Sequence, residues 1–288
     1  MNSKNTIISN YKSIFKRLFE RKIVIFGAGL VVFFILVALF APYISPHDPN
    51  AMNLRLSFAK PSSKHLLGND ELGRDVLSRL IYGTRTSLSV GFVAVMIASV
   101  FGVALGLIAG YVGGIVDGII CRVTDALLSI PTLMLSVGLG LIVGSGKTGL
   151  MIILGVSTIP TYVRLMRGQV LAVRDSDYIN AERVLGASNL RIMLSHVLPN
   201  CFSPILVILT MNIGGTILGE ATLSFLGIGV KPPMPSWGSM VNEGYGRLLT
   251  NPVFGLAPGI CIMLLVFGFN TLGDGLRDAL DPRLRGKT

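Results

Sequence analysis

The sequence predicts an all-α integral membrane protein with six transmembrane helices, and three observations predict it. Only 14% of the 288 residues are charged while 51% are hydrophobic, against roughly 25% charged in an ordinary soluble domain. The charges are unevenly spread, being absent from a few long windows and concentrated between them. Most of those windows reach or exceed the roughly 20 apolar residues needed to cross about 30 Å of hydrocarbon.

Residues 1–22 form a basic N-terminal segment, and the first span is Ile23–Pro46, which holds no Asp, Glu, Lys or Arg. A secretory signal has an apolar region of only about 7–15 residues ending at a cleavage site, so this longer run, followed by five more, is a span. Residues 47–85 form an extracytoplasmic segment. The second span, Thr86–Val116, is rich in closely spaced small residues, which suits tight helix packing in lipid. The third is Ala126–Gly146 with Pro131 inside it. The fourth is the shorter Thr148–Val163, flanked by Lys147 and Arg164, whose long side chains reach the interface. Val197–Gly219 and Leu248–Gly273 complete the six. In the tail, residues 274–288, Leu276, Leu280 and Leu284 recur every four residues, although Pro282 interrupts a helix there.

Six spans put both termini on one side. That side, with residues 164–200 and the turn after the second span, carries sixteen of the 25 Lys and Arg residues, and nine lie on the other. The excess marks the cytoplasmic face. The net charge of +10 is thereby read as a topogenic and lipid-facing signature, not as a nucleic-acid footprint.

Several chemistries are disfavoured. "GSGKT" at 144–148 resembles the end of a phosphate-binding loop, but Leu141 stands where the first Gly is required, and the flanking elements are membrane helices instead of a strand and a helix. Cys121, Cys201 and Cys261 lie in or beside spans, without a CxxC pair. His47, His65 and His196 are far apart in sequence and fall on both faces, so no metal site and no Ser–His–Asp arrangement is expected. The chain is read as having no catalytic residues and binding no cofactor of its own. A membrane-bound enzyme is disfavoured accordingly, as is a secondary transporter working alone, which would show broken helices with paired acidic residues at mid-membrane or an inverted repeat.

Ionisable groups near lipid are default functional candidates. Asp125 lies one turn from Arg122 and is expected to pair with it. Glu220, after a 23-residue apolar run, is a candidate for either the transport pathway or a structural role. "KPPMPSWGSMVNEGYGRLL" from Lys231 predicts a short amphipathic helix, with Trp237 as an interfacial anchor.

Residues 175–200 are the chain's most unusual stretch. Tyr178–Leu185 reads as a helix with Asp175, Ser176 and Asp177 available to cap its start and Gly186 as a left-handed end. A second helix runs from Ser188 or Asn189 to Pro199. Ile179, Val184 and Leu185 offer apolar purchase to a soluble partner.

"YINAERVLGASNLRIMLSHVLPN" resembles the EAA loop of permease subunits in bacterial ATP-binding-cassette (ABC) importers, which reads Glu-Ala-Ala, three residues, Gly, nine residues, Ile-x-Leu-Pro. Ala181, Gly186, Leu198 and Pro199 fall on that register. Asn180 stands where the pattern has Glu, Glu182 where it has Ala, and His196 where it has Ile. "HLLGNDELGRDVLSRLIYGTRTSLSVG", "GLIAGYVGG", "SFLGIGVKPPMPSWGSM" and "FNTLGDGLRDALDPRL" are similar to C-type permeases of the dipeptide, oligopeptide and nickel group. The resemblance implies a type I ABC importer permease fold in the bacterial inner membrane, with residues 23–46 an added first helix and 86–273 a core of five spans. It also implies a homologous B-type permease, two ATPase subunits holding ATP and Mg, and an extracytoplasmic substrate-binding protein. Tyr178, Asn180, Ala181, Glu182, Leu185, Gly186, Leu198 and Pro199 would couple to the ATPase. Di- and oligopeptides are the implied cargo, with nickel, a metal chelate or glutathione as alternatives.

Overall fold

Charge-free windows become long helices, and proline and glycine decide where they stop. The computed structural model describes residues 18, 19 and 21–280. In chain order it contains α1 (Lys22–Ile44), a 3-10 turn at Leu54–Leu56, α2 (Val76–Val112), α3 (Gly114–Leu128), α4 (Thr132–Val143) and α5 (Lys147–Val173). There follow α6 (Asp177–Val184), the single turn α7 (Asn189–Ile192), a π turn at Met193–Val197, α8 (Leu198–Phe225), α9 (Trp237–Tyr245) and α10 (Pro252–Leu280). No strand occurs among the described residues beyond the isolated bridge between Asn69 and Asp75. Five helices are long and apolar enough to cross a membrane, six if α3 and α4 together make one span. The first lysines and arginines of the chain, and the tail with Pro282 and Leu284, lie outside the described residues.

The spans differ from the expected ranges in ways that local chemistry explains. Residues 126–146 do not form one straight helix: α3 and α4 meet at 95°. Pro131 pushes the residue before it away from helical dihedrals, and the chain turns there. α2 begins ten residues before Thr86, where the Asp75 carboxylate accepts the Ser78 N–H. It ends at Val112 because Gly113 and Gly114 adopt φ of +70° and +57°. Its 37 residues rise about 55 Å, well beyond the roughly 30 Å of hydrocarbon, so the segment between α1 and α2 shortens to residues 45–75. α5 continues past Arg164 to Val173, and α10 carries into the expected tail.

α2 is the central helix. Gly102, Gly106 and Gly110 lie four residues apart on the face it turns to α5. A Cβ at these positions would stand 2.4 Å from Tyr162 Cβ, 2.6 Å from the Val163 carbonyl oxygen and 2.7 Å from Val170 Cβ. Without side chains there, the two backbones approach until van der Waals contact replaces lipid. α1 packs on α10 in the same way, with Gly27 against Thr271 and Gly275 against Val24, and Arg21 pairs with Asp278 at 2.7 Å.

Trp237 is not an interfacial anchor. Its ring is fully buried, edge-on to Phe34 at 5.4 Å, and Nε1 donates to the Leu80 carbonyl at 3.0 Å. Gly83 makes the space, since a Cβ there would lie 2.9 Å from Trp237 Cδ1. The indole thus joins α1, α2 and α9 at one end of the bundle. At the opposite end Leu107, Tyr111, Met166, Val170, Ile179 and Ile192 are buried together, seating α6 and α7 on α2 and α5.

Candidate coupling site

The 175–200 stretch is tied to the bundle at several points. Arg174 donates from Nη1 to the Gly110 carbonyl at 2.9 Å, which fixes the end of α5 to the end of α2. The expected side-chain caps of α6 are not made. Ser176, the N-cap residue, donates its hydroxyl back to the Val173 carbonyl at 2.6 Å, and Asp175 faces Arg174 at 3.2 Å.

One face of α6 belongs to the protein itself. Ile179, expected to be offered to a partner, is fully buried among α2 and α5 side chains, whereas Val184 and Leu185 are 88% and 80% exposed and Tyr178 is also exposed. The helix phase separates them, because Ile179 is five and six residues from the other two. Gly186 ends the unit with φ +81°, as the sequence predicts, and no heavy atom lies within 4 Å of where its Cβ would be. Ser188 caps α7 by accepting the Arg191 N–H. The Tyr111 hydroxyl donates to Asn189 Oδ1 at 3.1 Å, and the Arg183 guanidinium lies 5.6 Å from the Tyr111 ring centroid.

The three departures from the family pattern all have partners. Asn180 donates from Nδ2 to the Asp175 carbonyl at 3.2 Å and accepts from Arg183 at 3.0 Å. Glu182 and His196 face one another at 3.6 Å. Ala181 and Pro199 are exposed, and Leu198 is half-buried at the start of α8. Pro199 lacks the N–H that would bond to the preceding turn, and the π turn lies in that turn.

Beside this unit, α3 and α5 flank an open cleft of about 460 Å³ lined by Cys121, Thr124, Asp125, Arg164 and Arg167. Asp125 pairs with Arg164 at 2.6 Å and not with Arg122 as expected, because α5 presents an arginine across the gap. Asp117 and Arg167 form a bidentate pair at 2.5 and 2.7 Å. Sequence reasoning missed that pair, whose members are 50 residues apart; the one available signal was Asp117, a lone charge bordering the second apolar run.

Glu220 is enclosed at the other end of the bundle, accepting from the Ser87 and Ser224 hydroxyls at 2.8 Å each. Ser87 Oγ also stands 3.4 Å from the Trp237 N–H. His47 and His65, far apart in sequence but both in the segment expected outside the membrane, stack with ring centroids 4.6 Å apart, while His196 sits at the α6 end.

The profile of the family described as the binding-protein-dependent transport system inner membrane component matches residues 102–286, which include α3 to α10 and the loop. The chain belongs to that family. The permease also matches, over residues 9–61, the N-terminal transmembrane domain of oligopeptide transport permease C. It is 40% identical over 280 residues to the dipeptide transport system permease protein DppC of Alkalihalophilus pseudofirmus, covering 97% of this chain and 92% of the relative. The glutathione transport system permease protein GsiD of Pectobacterium atrosepticum is 42% identical over 273 residues, covering 94% and 91%. An inward-facing structure of the MetNI methionine ABC transporter superposes with a TM-score of 0.59 at 19% identity, covering 70% of the permease and 97% of that chain. The permease therefore has the type I ABC importer permease fold, and it is a multi-pass inner-membrane component that works with other transport subunits.

Proposed function

We propose that the permease forms half of the translocation path of an ATP-driven peptide importer. A homologous B-type permease supplies the other half, two ATPase subunits hold ATP and Mg²⁺, and a binding protein delivers cargo from outside. Both termini face the cytoplasm with the α6 unit. The observation that carries this reading is the split character of α6, with Ile179 sealed into the bundle while Tyr178, Val184 and Leu185 stand out from it. A helix of that kind transmits a push. Closure of the ATPase dimer on ATP displaces α6, and its seat on α2 and α5 carries the displacement into the spans. ATP acts through its different affinity for the two arrangements. Tyr178, Asn180, Ala181, Glu182, Leu185, Gly186, Leu198 and Pro199 make up this coupling unit, and Glu220 has a structural role between α2 and α8.

Di- and oligopeptides are the cargo class favoured by the relatives named as dipeptide permeases. Glutathione, itself a peptide, is the second reading because a comparably similar relative is named for it.

Gly186→Val tests the coupling role. The position is open but left-handed, so a β-branched residue costs about 1–2 kcal/mol there without a clash. Membrane insertion and complex assembly are expected to persist, with ATP hydrolysis no longer driving uptake. Unchanged uptake and unchanged stimulation of hydrolysis by the binding protein would refute it.

A further inference from the structure

At the end of the bundle opposite α6, three side chains that transport coupling leaves unused converge. His47 follows α1, His65 lies between α1 and α2, and Asp75 caps α2. One ligating atom from each lies within 4.8 Å of the other two. His65 Nδ1 is 2.8 Å from Asp75 Oδ1, and His47 Nδ1 is 3.8 Å from Asp75 Oδ2. The second distance is too long for a hydrogen bond. Donor atoms placed tetrahedrally around an ion with bonds of about 2.0–2.1 Å stand ~3.3 Å apart, close to these contacts, which reach different oxygens of the one carboxylate.

The surroundings hold each donor in place. Asp75 Oδ2 accepts the Ser78 N–H and hydroxyl at 2.8 and 2.7 Å, leaving Oδ1 to the His65 imidazole. Ser78 Oγ also accepts the His47 N–H at 3.0 Å, and Ser62 Oγ accepts the His65 N–H at 3.2 Å. These two contacts are made by the backbone N–H groups, so they fix the chain from which the imidazoles project. Exposure is graded across the site, with side chains 2% exposed at Asp75, 17% at His65 and 40% at His47, so solvent reaches one side only.

We propose that His47, His65 and Asp75 bind one divalent transition-metal ion of the Zn²⁺ type, with water completing the coordination. Two imidazoles and one carboxylate suit such an ion, whereas Ca²⁺ and Mg²⁺ call for more oxygen ligands. Binding exchanges the His65–Asp75 hydrogen bond for a metal bond to each residue, and the His65 proton resides on Nε2 in the loaded form. The ion then cross-links the end of α1, the outer segment and the start of α2, closing that segment against the bundle.

The test is a Co²⁺ titration of the full chain in detergent, purified through an affinity tag free of histidine and stripped with chelator. Visible absorption of coordinated Co²⁺ is the readout, with Zn²⁺ as competitor. One Co²⁺ per chain is expected, displaced by Zn²⁺, with binding weakened by roughly tenfold or more in both His47→Ala and His65→Ala and unchanged in His196→Ala. His47→Gln, at the most exposed of the three positions, repeats the test with a smaller change in shape. The proposal is overturned by the absence of saturable uptake at millimolar Co²⁺, or by uptake that survives both His47 variants.

Discussion

Glu182 and His196 face each other at 3.6 Å across the turn between α6 and α8. Each replaces an apolar residue of the EAA pattern, and the fold brings the two replacements together. Restoring one position alone leaves the other, about 30% exposed, without its counterpart. His196→Ile and Glu182→Ala are each expected to lower stability by about 0.5–1 kcal/mol, and the double variant to lose less than the two together. A thermal double-mutant cycle on the purified permease checks this, and additive losses would show the pair to be uncoupled.

The two ion pairs around the α3–α5 cleft are expected to differ in strength. Asp125 and Arg164 are each about 60% exposed, so Asp125→Asn is expected to cost less than about 1 kcal/mol. Asp117 and Arg167 are more enclosed and joined by two short hydrogen bonds, so Asp117→Asn is expected to cost about 1.5–3 kcal/mol. Melting temperatures of the two variants in one detergent decide the matter, and equal losses would contradict it.

Close helix contact makes Gly106 intolerant. A Cβ there would lie 2.6 Å from a backbone oxygen of α5, which cannot move without the helix. Gly106→Ala is expected to destabilise by about 1–3 kcal/mol. Gly118, in α3, has open space where its Cβ would be, and Gly118→Ala is expected to be neutral or stabilising by up to about 1 kcal/mol. Denaturant resistance of the isolated chain distinguishes the two.

Trp237 separates packing from hydrogen bonding. Trp237→Phe keeps most of the ring against Phe34 and loses the bond to the Leu80 carbonyl, so a cost of about 1–3 kcal/mol is expected. Trp237→Ala leaves a cavity between α1, α2 and α9 and is expected to cost about 3–5 kcal/mol. If the alanine variant melts with the wild type, the residue's burial does not stabilise the bundle.

The helices and the turn that ends α6 were legible because both are written in local sequence. A charge-free window reports its own span, and the spacing of Ala181, Gly186, Leu198 and Pro199 reports its own loop. The break at Pro131 was hidden by the same averaging that found the span, since composition is insensitive to one residue's dihedrals. Trp237 depends on Gly83, more than 150 positions earlier, and Asp117 depends on Arg167. Asp125 took its partner from α5 because a neighbouring helix offered a more favourable arginine than its own turn did. Ile179 looked available because spacing alone does not say which side of a short helix faces the bundle.

From Asn189 to Phe225 the chain runs as one helical rod of 37 residues, with the five-residue π turn near one end. Such a rod is about 55 Å long, so a tilt of only a few degrees about its middle shifts each tip by a couple of ångströms in opposite directions. His196 lies near one tip and Glu220, Ser224 and the floor beneath Trp237 near the other. The two ends of this permease are therefore joined by one continuous helix, whose winding loosens at Met193–Val197.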